Sequence, residues 1–213
     1  MPFGFIILAL ALSARPALAE ASVTTELVMN VILLRGSAWT EAQARDQLRE
    51  AAQIYGQCGI SLRRVTLIVA EPPGGRVNWN RFGGDGDASI SALRRLFPGD
   101  GLTAFLTGSF IDENIDDAFA FADWRDAYVT RPELSGTVFL SDRVNSRESE
   151  RERAASPYSV LAHEMLHVLL RTSHHNGDHE ANLMSDWRRR NNLLPARLCD
   201  AVAASPLLRP GAP

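Results

Sequence analysis

The segment HEMLHVLLRTSHHNGDHEANLMS, His163 to Ser185, constrains the fold of this chain more than any other stretch, because it holds all five of its histidines. His163 and His167 stand four apart around Glu164. On a helix that spacing puts both imidazoles on one face, a turn apart, where they can reach a common ion. Glu164 then falls about 100° further round, beside that point rather than on it. The flanks supply the helix. Ser156-Pro157 offers a serine cap with proline at the first helical position, and Val160, Leu161, Met165, Val168 and Leu169 give an apolar side running at least to Leu170. Two imidazoles do not complete a metal site, so the chain must turn back and bring a third ligand.

Neutral imidazoles suit Zn2+, which lowers the pKa of a bound water towards neutrality and polarises a carbonyl. A carboxylate beside the ion stands where a general base must stand to take a proton from that water. A lone helix histidine could be accidental, but three residues in the pattern with three more histidines just downstream are not so explained.

In HEMLHVLLRTSHH followed by NLMS, the chain resembles the metzincin-type zinc metallopeptidases, in which H-E-x-x-H-x-x-G-x-x-H precedes a methionine-containing turn. The resemblance implies Glu164 as base and later proton donor, Met184 as the turn methionine, and a mixed sheet with an antiparallel edge strand beside the cleft. That edge would be the AFAFA segment, where a peptide could add as an extra strand. The chain departs from the pattern at two positions: the family's glycine falls on Leu170 and its third histidine on Ser173, which is no zinc ligand. A helix continued to His174 would carry that residue about 10 Å beyond His167, too far to share the ion. Asn176-Gly177 is a turn signal. His175 fits a helix lengthened by about half a turn, and is similar to metzincin-like bacterial proteins whose third histidine is delayed before a short NLM segment. The expected ligands are therefore His163, His167 and His175, with His179 and then His174 as alternatives, and Asp178 or Glu180 as carboxylate alternatives. No tyrosine follows Met184 closely, so no additional tyrosine ligand is expected, and Asp186 and Trp187 are read as packing residues.

Upstream, VTTELVMNVILL (Val23 to Leu34) reads as a strand, the segment after Thr40 as a capped helix ending near Gly56 or Gly59, and ISLRRVTLIVA as a second strand. A β-α-β start favours a parallel pair. Glu71 to Ala88 is a long Gly- and Pro-rich loop, SISALRRLFP a short helix, GLTAFLTGSF and GTVFLSD strands, DRVNSRESERERAAS a solvated charged stretch, and LPARLCDAVAA a final helix. The expected class is α+β and metzincin-like. Its mixed β-sheet has four to five strands with an antiparallel edge strand, packed against an N-terminal helix and the active-site helix.

An apolar run from Phe3 to Leu12, followed by Ala17-Leu18-Ala19, reads as a signal peptide over residues 1–19. The run falls short of the roughly 20 residues a membrane span needs. Residues 20–213 are then a single zinc metallopeptidase domain, with 205–213 a loose tail. In an exported (periplasmic or extracellular) protein the two cysteines, Cys58 and Cys199, are expected to form one disulfide. A net charge of −3 gives no ground for a nucleic-acid partner. No membrane association is expected of the mature form, which is read as a monomer acting on a peptide or protein.

The expected function is a zinc metalloendopeptidase with Glu164 as general base. Two alternatives stand beside it: a non-catalytic metal-binding or interaction protein on the same scaffold, and a zinc hydrolase of non-peptide amides. Loss of the glutamate would mark the first, and Glu164 is present.

Overall fold

A computed structural model describes residues 25–72, 85–98, 101–108, 118–121, 132–145, 158–175, 181–185 and 190–211. Its first strand, β1 (Thr25–Leu34), is mostly apolar and lies in the interior of the sheet. Because side chains alternate across a strand, Leu27, Met29, Val31 and Leu33 enter one hydrophobic cluster, while Ile32 and Leu34 enter another on the opposite face. Helix α1 (Glu41–Gly56) follows, opened by a capping box in which the Thr40 side chain accepts from the Gln43 backbone and Gln43 answers. It returns the chain to β2 (Ile60–Ala70), parallel to β1 as the β-α-β order favours.

Helix α2 (Asp85–Leu96) begins four residues earlier than the serine-led segment implied. Of the long loop expected before it, residues 73–84 lie outside the described residues. Strands β3 (Leu102–Thr107), β4 (Ala118–Phe121) and β5 (Thr137–Ser141) complete the order β2-β1-β3-β5-β4, parallel except for β4, which runs antiparallel to β5 at the end of the sheet. Gly101 leads into β3 with φ +95°, and a Cβ there would stand 2.5 Å from the Val28 carbonyl oxygen. Glycine is what lets β3 approach β1 at this point.

Helix α3 (Val160–Leu170) packs against α1, β4 and β5 on one face of the sheet. Its cap is Ser159, whose side chain accepts from the Ala162 N–H, so the helix starts later than a cap at Ser156 would give. Residues 156 and 157 lie outside the described residues. Tyr55 of α1 is fully buried and its hydroxyl donates to the Ala162 carbonyl at 2.8 Å, joining the two helices at the core. Helix α4 (Ala196–Ala203) lies on the same side, while α2 covers the other face through Ile90 and Leu93.

Two expectations are corrected. The sheet has six strands, not four or five. The sixth, β6 (Leu208–Pro210), lies in the segment read as a loose tail and pairs antiparallel with Thr25, Glu26 and Leu27 of β1. The reason is geometric: β3 meets β1 only from Met29 onward, so the first residues of β1 would otherwise present unpaired backbone groups on that side.

The expected disulfide is present, with Cys58 just after α1 joined to Cys199 in α4 across 141 residues. Around it, Gln57 holds the neighbouring chain twice, donating to the Asn192 carbonyl at 2.7 Å and accepting from the Leu194 N–H at 3.2 Å. No helix among the described residues is long and apolar enough to cross a membrane. The expected signal segment, residues 1–19, lies outside the described residues.

Candidate metal centre

Helix α3 is buried over most of its length and delivers His163 and His167 to one end of the sheet as nearly enclosed side chains. Each ring is fixed through its Nδ1. His163 Nδ1 lies 2.7 Å from the Leu183 carbonyl oxygen, and His167 Nδ1 lies 2.9 Å from that of Thr172. A carbonyl can only accept, so both Nδ1 atoms carry the proton and both Nε2 atoms present a lone pair.

Those lone pairs converge. The Nε2 atoms of His163 and His167 are 3.1 Å apart, and His175 Nε2 lies 3.2 Å from that of His163. The three rings offer ligand atoms all within 4.8 Å of one another. Nitrogens held tetrahedrally by zinc at its usual bond length stand about 3.3–3.4 Å apart, so the two spacings to His163 fit such an ion. Two lone pairs facing each other at 3.1 Å repel unless a cation lies between them, which makes this donor set suited to a metal.

Protonation does not resolve the repulsion near neutral pH. Burial is the largest influence on His163 and pushes its pKa well below the usual histidine value, helped by the charges of His167, Arg190 and His175 against the Leu183 carbonyl. His167 is lowered to about 4, again mainly by burial, with the Thr172 carbonyl pulling the other way and His175 and Arg190 adding to the depression. Both imidazoles are therefore neutral at pH 7, the state a metal requires.

The turn below His163 is built from NLMS. The Asn182 side chain accepts from the Met184 N–H at 2.8 Å, Ser185 N–H donates to the Asn182 carbonyl, and Ser185 Oγ accepts from Asn182 N–H. Leu183 N–H donates to the Leu193 carbonyl at 3.0 Å, which ties the turn to the segment leading into α4. Leu183 thus holds that segment with its N–H and His163 with its carbonyl. Met184, within this turn, is buried in the core.

Compared with solved structures, the chain is similar to metalloproteinase-II from Bacteroides fragilis, with a TM-score of 0.51 and 16% identity over 87% of this chain and 54% of that one. It is also similar to archaemetzincin from Methanopyrus kandleri, with a TM-score of 0.52 and 11% identity over 83% of this chain and 94% of that one. The architecture is metzincin-like. This chain spans about half the length of the Bacteroides protein, and identities this low carry the fold alone. No family model and no curated protein matches the sequence.

On this metzincin-like frame the delayed histidine arrives by a different route from the one expected. Helix α3 is not lengthened: it ends at Leu170, and Arg171 adopts the left-handed conformation with φ 55° and ψ 46°. The Arg171 N–H donates to the Val168 carbonyl and the Thr172 N–H to that of His167, the paired bonds of a Schellman turn. The reversal comes at the turn after Leu170, and the residues from Thr172 to His175 span the return. His174 is exposed and lies outside the cluster, with its N–H donating to Thr172 Oγ1. Residues 176–180, with His179, Asp178 and Glu180, lie outside the described residues, as do Asp186 and Trp187. Glu164 is half-buried on α3, next to His163 in the chain.

Two residues at the site were not singled out in the sequence. Arg190 donates from Nη2 to His175 Nε2 at 2.8 Å, from Nε to the Ser185 carbonyl at 3.0 Å and from Nη1 to the Tyr158 hydroxyl at 3.2 Å. Tyr158 stands edge-on to His163, with ring centroids 5.9 Å apart. This tyrosine precedes the helix rather than following Met184. Arg190 closes a run of three arginines, and nothing in the run distinguishes one from another.

Proposed function

We propose that this chain is an exported zinc-dependent metallopeptidase that hydrolyses peptide bonds with Glu164 as general base. The convergence of three imidazole Nε2 atoms, two of them with Nδ1 committed to carbonyl oxygens, carries the reading. The similarity of fold to a metalloproteinase and to an archaemetzincin supports it.

His163, His167 and His175 would hold the ion. Bound zinc supplies Lewis acidity, lowering the pKa of a water and polarising the substrate carbonyl. The chain's own residues do the rest. The Leu183 and Thr172 carbonyls fix the two helix imidazoles in the tautomer that turns Nε2 towards the ion. Glu164, on the same helix and about 100° round from His163, accepts the proton of the attacking water and passes it to the departing amine. Met184 serves as the turn methionine below the site. Strand β4 ends the sheet, and its outer backbone edge receives the extended peptide or protein substrate as a further strand.

The test is turnover of a broad peptide library by the zinc-loaded chain. Wild type is expected to cleave, and Glu164→Ala to keep its zinc while losing activity by about 10²–10⁴-fold. A zinc-loaded wild type that cleaves nothing in the library would overturn the peptidase reading in favour of a non-catalytic metal-binding protein.

A further inference from the structure

Arg190 is built into the edge of the histidine cluster by contacts that do not depend on the histidines. Its Nε donates to the Ser185 carbonyl, its Nη1 donates to the Tyr158 hydroxyl, and its Cζ lies 5.1 Å from the centre of the Tyr158 ring. The remaining terminal nitrogen, Nη2, reaches His175 Nε2 at 2.8 Å. A guanidinium has donors only and keeps its charge throughout the accessible pH range. The bond therefore uses the His175 Nε2 lone pair.

That same atom lies 3.2 Å from His163 Nε2 and is the one His175 contributes to the three-histidine group. One imidazole nitrogen has one lone pair in the ring plane, and it cannot serve an N–H and a metal at once. From this we infer that Arg190 competes with the metal ion for His175 Nε2, and so is a positioning residue that sets how tightly the site holds its ion. The inference rests on the reading of the three histidines as a metal site.

Two effects act in the same direction. Uptake of the ion must break a charge-assisted hydrogen bond, among the stronger of its kind. A fixed positive charge beside the cluster also opposes a divalent cation, in a setting where burial of His163 and His167 weakens screening by solvent. The opposite role, in which Arg190 merely keeps His175 in place for the ion, predicts the opposite sign: its removal would weaken binding.

Zinc affinity measured against a chromophoric chelator separates the two. Arg190→Met keeps the aliphatic stem without charge or donors, and is expected to bind zinc about tenfold more tightly than wild type, the equivalent of one lost charge-assisted hydrogen bond. Arg190→Lys keeps the charge but not the planar fork that meets Ser185, Tyr158 and His175 together, and is expected to fall between the two. Circular dichroism establishes which variants are folded. Affinity unchanged or weaker in the folded variants overturns the inference while leaving the metal site intact. A wild type that takes up no zinc at all overturns the site itself, and the inference with it.

Discussion

Thr172 holds His167 at both ends: its N–H donates to the His167 carbonyl at 3.2 Å, and its own carbonyl lies 2.9 Å from the His167 ring Nδ1. One residue thus ends the helix and orients an imidazole on it. The arrangement requires Arg171 between them in the left-handed region, which for a non-glycine residue costs about 1–2 kcal/mol.

Replacing Arg171 tests that coupling. Arg171→Gly relieves the backbone strain and is expected to leave zinc binding intact, with stability within about 1 kcal/mol of wild type because glycine costs unfolded-state entropy. Arg171→Val, β-branched and poorly tolerated there, is expected to cost about 2 kcal/mol and to weaken zinc binding together with stability. Denaturant midpoints and a chelator competition on the two variants check both statements. Equal zinc affinity in a folded Arg171→Val would show that the turn does not orient His167.

The depressed histidines give the metal-free chain a defined pH dependence. His167 titrates at about 4 in the fold, mainly because it is buried, and His163 is shifted in the same direction. An unfolded histidine titrates near its ordinary value of about 6.5. Above that value neither state binds the proton and stability is undiminished. As pH falls below about 6.5 towards 4 the unfolded chain binds protons that the folded chain refuses, and stability is lost at up to about 1.4 kcal/mol per pH unit for each group. Urea denaturation after chelation should show a fall of about 2–4 kcal/mol between pH 7 and pH 5. A flat profile would contradict the buried, neutral state of these rings.

The Cys58–Cys199 bond closes a separation of 141 residues and anchors the segment whose Leu193 carbonyl holds the Leu183 N–H. Its loss is expected to cost about 2–5 kcal/mol. Because Leu183 also orients His163, zinc should be retained less well by the reduced chain at a denaturant concentration that leaves the oxidised chain fully folded. Zinc retention unaffected by reduction would separate the disulfide from the site.

Gly101 and Gly36 make a matched pair. Both have positive φ, but a Cβ at Gly36 meets nothing within 4 Å, whereas one at Gly101 meets the Val28 carbonyl oxygen at 2.5 Å. Gly36→Ala should therefore cost only backbone strain, about 1 kcal/mol, and Gly101→Ala about 2–4 kcal/mol as β3 is pushed from β1. Thermal unfolding of the two variants side by side reads the difference, and equal losses would contradict the close approach of the strands.

Local chemistry made the helix pair legible, because a spacing of four residues fixes His163 and His167 on one face without reference to the rest of the chain. His175 lies beside His163 and His167, but the helix extension expected to deliver it does not occur: the helix ends at Leu170. Nothing local marks Arg171 for a left-handed turn that glycine normally takes. The disulfide followed from the pairing of two lone cysteines in a chain read as exported. Strand β6 was hidden because Leu208-Arg209-Pro210 has no strand pattern, and its pairing is imposed by the uncovered start of β1. Arg190 was hidden because the feature that marks it, its reach to His175, is tertiary.

The most direct test of the site is the zinc content of purified single-alanine variants. About one zinc per chain is expected in the wild type, with loss as complete in His175→Ala as in His163→Ala and His167→Ala, and retention in His174→Ala and His179→Ala. Full zinc in a folded His175→Ala, or a wild type that holds none in zinc-replete buffer, would contradict it.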